Sequence, residues 1–276
     1  MHKFRCSALG KITVGITFQP LGLTDKQAQR LNELTEKGSK SKELQELIEK
    51  RDFIPEPKLS TGAKTYIEDV WYGEKFNFKK SFSSKFTEKG KLNESKSIRE
   101  LSKYLGVFTA KNEEHLSNDF IHGTPDIRLN APKCTIDTKN VYYPNGLKFF
   151  DSEAEKHDYI WQIHGYNWLD GKDVGFVARI LTNPPAHIIE KEVWNYWREA
   201  EGEGHPTDDF IKDVEEMFNF EKKPIDERVN LFRIDTTENE IKIIQKAVEL
   251  ANEYWKELDD QFENRNQSIN FFKKCK

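Results

Sequence analysis

Two aspartates and a lysine stand close together in a part of the chain that otherwise has the pattern of two short strands. They are Asp126, Asp137 and Lys139, within residues 122–140. Because side chains alternate between the two faces of a strand, Asp137 and Lys139 are expected to reach the same face. Pairing of the two strands as a hairpin would bring Asp126 next to Asp137.

The chemistry that this trio could perform depends on a cation. Two adjacent carboxylates repel each other, and burying them together is costly unless a cation lies between them. Mg²⁺ is the natural candidate, because it binds carboxylates, a backbone carbonyl and water, and bridges to a substrate phosphate. Lys139 could then orient or deprotonate a water, or stabilise the charge of a phosphoryl transition state. The alternative is an exposed hairpin with an ordinary Asp–Lys pair, and the local spacing leaves both open.

The composition limits the class of protein that could position these residues. The 276 residues suffice for one large domain, or for a domain with a sizeable appendage. Charged residues make up 33% of the chain and the mean hydropathy is -0.79, which predicts a polar, helix-rich surface. No apolar run approaches the roughly 18 residues of a membrane span, and the N-terminus lacks the features of a secretory signal. We therefore expect a soluble protein of the cytoplasm.

Cysteine content and charge distribution narrow the setting further. The three cysteines, Cys6, Cys134 and Cys275, are far apart in sequence, which argues against a disulfide framework, a four-thiolate zinc site and an iron–sulfur cluster. A metal ion would therefore need oxygen ligands. Residues 1–110 hold 21 Lys and Arg against 14 Asp and Glu, whereas the rest of the chain holds 22 against 33. The first part could face a polyanion, or it could simply carry solvated, lysine-rich helices.

Hydrophobic spacing predicts the helices that would surround the site. Leucines at helical intervals predict two helices between residues 24 and 50, with a break near Gly38 and Ser39. Further helices are predicted over residues 61–75, 86–104 and 158–169, and a long helix ends the chain.

Apolar alternation predicts the strands and, with them, the fold class. Two antiparallel strands are expected around Ile127 and Ile136, and the run DVGFVARIL predicts a central strand. The run LFRI predicts a short strand before the final helix. The expected fold is α/β (α+β), a central mixed β-sheet flanked by helices, with a core at about residues 86–182 and helical extensions over 1–85 and 183–276.

The motif order around the trio resembles that of a known superfamily of nucleases. Pro125-Asp126, followed by Asp137-Thr138-Lys139, resembles the signature of the PD-(D/E)XK nucleases. Downstream, Gln162 and Tyr166 lie four residues apart on one face of a predicted helix, as in the Gln-x-x-x-Tyr motif of the RecB-like branch.

Two upstream stretches extend the resemblance to the YqaJ/lambda-exonuclease family. Gly90 lies four residues before Glu94 on a predicted helix and resembles the Gly-x-x-x-Glu of phage-type exonucleases. The stretch FRCSALGKI, which holds Arg5 and Ser7, resembles the opening motif of that family, and the final strand and helix resemble its ending. The motifs follow the family order from residue 5 to residue 166.

The resemblance implies a restriction-endonuclease-like core within a single nuclease domain, residues 1–276, and a Mg²⁺-dependent DNA exonuclease in which Mn²⁺ can substitute. It implies that Asp126, Asp137 and the backbone carbonyl of Thr138 hold the metal, with Glu94 as a further metal-binding and catalytic carboxylate. Lys139 is then catalytic. Residues implied to bind the DNA end, at its 5′-phosphate, are Gln162, Thr124, Ser7, Arg5 and Tyr166.

The resemblance also implies the biological setting. Double-stranded DNA ends would be digested from 5′ to 3′ in phage-type recombination, inside a bacterial or phage-infected host cytoplasm. The expected assembly is a homo-oligomer, a ring-shaped trimer, and the expected partner is a single-strand annealing protein.

Several positions depart from the family pattern. Asp137 stands where the family usually has Glu, and its shorter arm moves the metal. Thr124 stands where Ser or Ala often precedes the Pro-Asp pair, so a hydroxyl is retained. Arg5 lies closer to Ser7 than the family's arginine does and is a substitute for it. Glu88 and Glu100 are alternatives to Glu94 on the same segment.

Two other functions remain open at the level of sequence. A structure-specific or restriction-type endonuclease could use the same core, and a non-catalytic DNA-binding module could keep the fold without the activity. The chain has no P-loop, so ATP-driven unwinding is not encoded in it.

Overall fold

The computed structural model describes residues 1–79, 84–150 and 156–265. The chain divides into two compact units. The first comprises Met1–His2, Lys11–Phe76 and Glu238–Lys276, and the second comprises Lys3–Gly10 and Asn77–Thr237. In the described residues, no helix combines the length and the apolarity needed to cross a membrane.

Helices make up most of the regular structure in the described part of the chain. They are α1 (Leu9–Ile12), α2 (Asp25–Glu36), α3 (Lys42–Asp52), α4 (Thr61–Lys75), α5 (Lys85–Leu105), α6 (His157–Asp170), α7 (Ala186–Glu199), α8 (Asp208–Met217) and α9 (Glu238–Asn264). The strands are β1 (Phe4–Arg5), β2 (Leu116–Ser117), β3 (Ile121–Gly123), β4 (Ile127–Asn130), β5 (Lys133–Val141), β6 (Val174–Leu181) and β7 (Val229–Asp235).

The first unit is helical. The break predicted near residue 38 lies between α2 and α3, where Gly38 has a positive φ of 60° that glycine adopts without steric cost. Ser41 and Ser60 cap α3 and α4 by accepting a hydrogen bond from a backbone N–H of the first turn. Helix α4 packs against α9, and Trp71 Nε1 donates to Asp259 Oδ1 at 2.9 Å.

The second unit contains two mixed sheets. The larger has the order β4-β5-β6-β7, in which β5 and β6 are parallel and the two outer pairs are antiparallel. The smaller has the order β1-β3-β2, with β1 parallel to β3 and β2 antiparallel to it. The predicted class, a mixed sheet flanked by helices, is confirmed, and DVGFVARIL forms the interior strand β6. The smaller sheet was not predicted.

The larger sheet has a helix on each face. On one face, Ile98 and Leu101 of α5 pack with Ile127, Ile136 and other apolar residues of the four strands. On the other face lies α6, whose buried Ile163 approaches Gly175 of β6. Ser84 begins α5 with a capping box, and Gly106 and Gly171 end α5 and α6 in the left-handed conformation. The predicted helices over 86–104 and 158–169 are confirmed.

Helix α5 also carries a lysine that is fully buried. Lys89 is 0% exposed, and its Nζ donates to the carbonyl of Val141 at 2.7 Å. The same ammonium lies 5.3 Å from the ring centroid of Tyr142 and 5.6 Å from that of Phe220. Burial lowers the pKa of Lys89 to about 7, although the charge of Glu221 acts in the opposite direction.

We predict that Lys89→Met stabilises the protein by roughly 2 kcal/mol at neutral pH, because the folded chain no longer buries an ammonium. The unfolded chain holds this proton up to the ordinary pKa of 10.5, whereas the folded chain releases it near pH 7. Between these values the unfolded state binds more protons, so the wild type gains stability as the pH rises. The advantage of the variant should therefore be full below pH 7 and shrink toward pH 10.5.

Urea unfolding of wild type and variant across this pH range measures the effect. Lys91→Met, which changes an exposed lysine of the same helix, is the matched control and should leave the free energy of unfolding nearly unchanged. An advantage of Lys89→Met that does not vary with pH would contradict the lowered pKa of Lys89 in the folded protein.

Candidate functional site

The site lies where the β4–β5 ladder ends. These strands pair from Asn130–Lys133 to Ile127–Ile136, and Asp126 stands one residue before β4. Its Oδ2 accepts hydrogen bonds from the N–H and the hydroxyl of Thr138, each at 2.7 Å. The carboxylate thus accepts a hydrogen bond from the backbone N–H of β5 that a longer β4 would have accepted.

A cavity of about 460 Å³ opens at this edge of β5. It is bounded by α5, by α6 and by residues from both faces of β5. Both faces reach the cavity because β4 does not extend alongside this part of β5. The lining residues are Phe86, Thr87, Gly90, Lys91, Glu94, Ser97, Asp126, Asp137, Thr138, Lys139, Asn140, Tyr159, Gln162 and Tyr166.

Asp137 and Lys139 share the face of β5 that α6 covers, as the alternation of the strand predicted. Asp137 is 3% exposed, and its Oδ2 lies 2.5 Å from Lys139 Nζ. Gln162 of α6 bridges the pair, because its Nε2 donates to Asp137 Oδ1 and its Oε1 accepts from Lys139 Nζ, each at 3.2 Å. Gln162 Nε2 also donates to the hydroxyl of Tyr166 at 2.8 Å.

The electrostatics of the cavity reflect two carboxylates held close together. Burial, and then the charge of Asp137, raise the pKa of Asp126 to about 6, although the hydrogen bonds from Thr138 and the charge of Lys139 lower it. Burial alone would lower the pKa of Lys139, but the charge and hydrogen bond of Asp137, together with the nearby Tyr159 and Asp126, outweigh it and the pKa is raised. Burial and the Asp137 charge also raise the pKa of Tyr166. The cavity therefore disfavours a second negative charge and favours a cation.

Glu94 lines the cavity from α5, four residues after Gly90, as the helical spacing predicted. Its Oε1 is paired with Lys111 Nζ at 3.0 Å. Glu88 contacts His187 of α7, and Glu100 contacts Arg228 near β7, so both alternatives to Glu94 point to other partners.

Three predicted DNA-binding residues are not among the residues that line the cavity. Arg5 is exposed in β1, where it pairs across the ladder with His122 of β3. Ser7 is exposed in a 3₁₀ turn, Cys6–Ala8. The Thr124 hydroxyl lies 3.2 Å from His115 Nδ1. Their part in binding a DNA end stays a prediction.

Sequence reasoning missed several residues of the cavity. Tyr159 lies three residues before Gln162, so helical spacing was the signal that could have identified it on the same face of α6. Its ring centroid is 4.4 Å from Lys139 Nζ. Asn140 donates to Ser97 Oγ of α5 at 2.8 Å. Nothing in the sequence indicated Lys111, which pairs with Glu94 and is not among the lining residues, because this contact depends on the path of the segment between α5 and β2.

The donors in the cavity fit a hard cation. Asp126 and Asp137 offer carboxylate oxygens, and Thr138 also lines the cavity, so its backbone carbonyl is a further candidate ligand. Within the residues that the structure describes, no three His, Cys, Asp or Glu side chains form a metal-binding cluster. Oxygen donors of this kind are the ones that Mg²⁺ takes in proteins, usually with water and substrate phosphate completing its coordination. The two described cysteines, Cys6 and Cys134, are buried and unpaired.

The fold has been seen in exonucleases. A phage-related exonuclease from Haemophilus somnus 129PT superposes with a TM-score of 0.65 at 23% sequence identity, covering 95% of this chain and 96% of that one. An alkaline exonuclease from Laribacter hongkongensis superposes with a TM-score of 0.55 at 9% identity, covering 97% and 94%. No protein-family model and no curated protein matches the sequence. At these identities the likeness establishes the fold.

Helix α6 reaches the cavity because a glycine lets it lie close to the N-terminal turn. A Cβ on Gly165 would lie 2.6 Å from Leu9 Cδ1 and 2.9 Å from Cys6 Sγ. We predict that Gly165→Ala lowers the free energy of unfolding by about 1–3 kcal/mol, because the helix would have to move away from this turn.

Gly90→Ala is the matched control for that prediction. Gly90 lies inside α5, and a Cβ there would have no atom within 4 Å, so the higher helix propensity of alanine should stabilise the protein by up to ~1 kcal/mol. Thermal unfolding of both variants measures the contrast. Equal effects of the two substitutions would show that Gly165 is not a packing constraint.

Proposed function

We propose that the protein is a metal-dependent deoxyribonuclease that hydrolyses phosphodiester bonds from the ends of duplex DNA. The observation that carries the proposal is the grouping of Asp126, Asp137 and Lys139 in one cavity. Support also comes from the fold, which resembles those of a phage-related exonuclease and an alkaline exonuclease.

Asp126 and Asp137, with the carbonyl of Thr138, would hold Mg²⁺, and Mn²⁺ would substitute. Oδ2 of Asp126 is occupied by Thr138, which leaves Oδ1 for the cation. Glu94 would act across the cavity, through water or after release from Lys111. When bound, the cation supplies Lewis-acid polarisation of the phosphodiester and a water of lowered pKa.

The protein's own groups would orient the substrate and stabilise charge. The ammonium of Lys139 can approach a non-bridging phosphate oxygen and stabilise the negative charge that develops during displacement. Gln162 fixes the orientation of both Asp137 and Lys139 through its amide. Since these side chains are largely buried, they are preorganised before DNA arrives.

The end of the DNA would be held beside this cavity. Thr124 lies two residues before Asp126, and we propose that its hydroxyl, with Ser7, Arg5, Gln162 and Tyr166, binds a terminal 5′-phosphate. Digestion would then run from 5′ to 3′, in recombination of the phage type. A trimeric ring and a single-strand annealing partner complete the proposal.

We predict that Asp137→Asn abolishes Mg²⁺-dependent cleavage while the affinity for DNA is retained, because the variant loses a metal ligand but keeps the residues proposed to bind the DNA end. End-labelled linear duplex measures cleavage, and a mobility-shift titration measures binding. Asp119→Asn, at an exposed aspartate before β3, is the control and should be fully active. Near-normal activity of Asp137→Asn would refute the proposed role of Asp137 as a metal ligand.

The same assay separates the proposed function from its alternatives. An exonuclease degrades the linear duplex and leaves covalently closed circular DNA intact, whereas an endonuclease cuts the circle. Binding without metal-dependent release of nucleotides from either substrate would identify a non-catalytic DNA-binding module.

We predict that a linear duplex with a 5′-phosphate is digested faster than the same duplex with a 5′-hydroxyl. A phosphate held beside the cavity fixes the register of the scissile bond, so its loss should lower the rate. Gln162→Ala should reduce this preference and keep slow, metal-dependent cleavage. Initial rates on the two duplexes give the ratio, and a wild-type ratio of one would exclude a phosphate pocket.

A further inference from the structure

The ammonium of Lys139 is the positive charge that compensates Asp137 in the described structure. Its Nζ lies 2.5 Å from Asp137 Oδ2, 3.2 Å from Gln162 Oε1 and 4.4 Å from the ring centroid of Tyr159. Asp137 is 3% exposed, so solvent screens this ion pair weakly. A metal ion that binds Asp137 must therefore compete with the lysine.

The competition has a consequence for where Lys139 can lie. A divalent cation and an ammonium on the same carboxylate would repel each other strongly in a site of low dielectric. Lys139 cannot simply leave, because its side chain starts from β5 inside the cavity and is largely buried there. The ammonium therefore needs a partner other than Asp137 that attracts a cation and offers no ligand to the metal.

The ring of Tyr159 has these properties. An aromatic face attracts a cation within about 6 Å of its centroid and carries no net charge. Tyr159 stands on the first turn of α6 and lines the same cavity as Asp137. Of the cations near its ring, Lys139 is the closest. Lys156 and Arg179 are both 5.9 Å from the centroid, and Arg179 is held by its hydrogen bond to the carbonyl of Gly146 at 2.7 Å.

We propose that Tyr159 is a positioning residue that takes over the ammonium of Lys139 when a metal ion binds Asp137. Lys139 is then an internal counterion of the metal-free site, and the tyrosine ring, with the amide oxygen of Gln162, keeps it within reach of the phosphate after the exchange. This inference rests on the proposed metal site at Asp137. It gives the ring a role in metal affinity that goes beyond shaping the cavity.

Mn²⁺ binding to the metal-free protein tests the inference without DNA and without turnover. Isothermal titration of wild type, Tyr159→Phe and Tyr159→Leu should give equal affinities for the first two and an affinity weaker by roughly fivefold for the third, as expected for the loss of a cation–π contact. Lys139→Met should bind Mn²⁺ more tightly than wild type, because the competing charge is gone.

A double-mutant cycle separates the inferred role from a structural one. In the Lys139→Met background, Tyr159→Leu should no longer weaken Mn²⁺ binding, because the ring has no ammonium to hold. Equal weakening in both backgrounds, or no weakening in either, would overturn the inference. Thermal unfolding of each variant verifies that the loss of affinity is not a loss of fold.

The Asp137→Asn variant shows which of the two proposals fails. If it loses Mn²⁺ binding while Tyr159→Leu binds as wild type does, the metal site stands and the role of Tyr159 is refuted. If Asp137→Asn binds Mn²⁺ as tightly as wild type, the proposed metal site is refuted, and the inference about Tyr159 falls with it.

Discussion

The cavity depends on the early end of one β-ladder. Strand β4 stops pairing with β5 at Ile127–Ile136, which leaves the N–H of the part-buried Thr138 without a strand partner. A fully buried donor costs about 1–3 kcal/mol when it is left unsatisfied, and a part-buried donor costs less. Asp126 removes this cost by accepting from both the N–H and the hydroxyl of Thr138 at 2.7 Å. The Asp126 carboxylate thereby completes the backbone hydrogen bonding of β5 at the edge where the cavity forms.

The same arrangement creates an electrostatic conflict, because the half-buried Asp126 and the buried Asp137 line one cavity. Lys139 and Gln162 compensate Asp137, and Thr138 compensates Asp126. The compensation is incomplete, since the pKa of Asp126 stays raised, at about 6. In the proposed function, a bound cation would offset both the burial and the repulsion from Asp137 that raise this pKa.

Local rules predicted much of this structure and failed where distant segments meet. Period-two alternation placed Asp137 and Lys139 on one face of β5, and helical spacing found α5 and α6, which carry Glu94 and Gln162. The early end of the β4–β5 ladder could not be predicted, because the length of a strand at an open edge is decided by tertiary packing. The presence of Asn140 in the cavity wall could not be predicted for the same reason. The pairing of Glu94 with Lys111 depends on the fold of an irregular segment. The strands β1, β2 and β3 are too short to show periodicity.

Among the described carboxyl groups that have a shifted pKa, Asp126 differs from the others in the sign of the shift. Burial would raise the pKa of Asp170, but hydrogen bonds from Arg128 and Lys172 lower it, and Glu100 is lowered in the same way by Lys103 and Arg228. In the described part of the chain, every carboxyl group with a shifted pKa has it lowered except Asp126. Lowered values belong to ion pairs that are complete within the fold. The raised value at Asp126 reflects burial and the nearby charge of Asp137, and it agrees with the proposed role of this carboxyl group as a ligand for a cation.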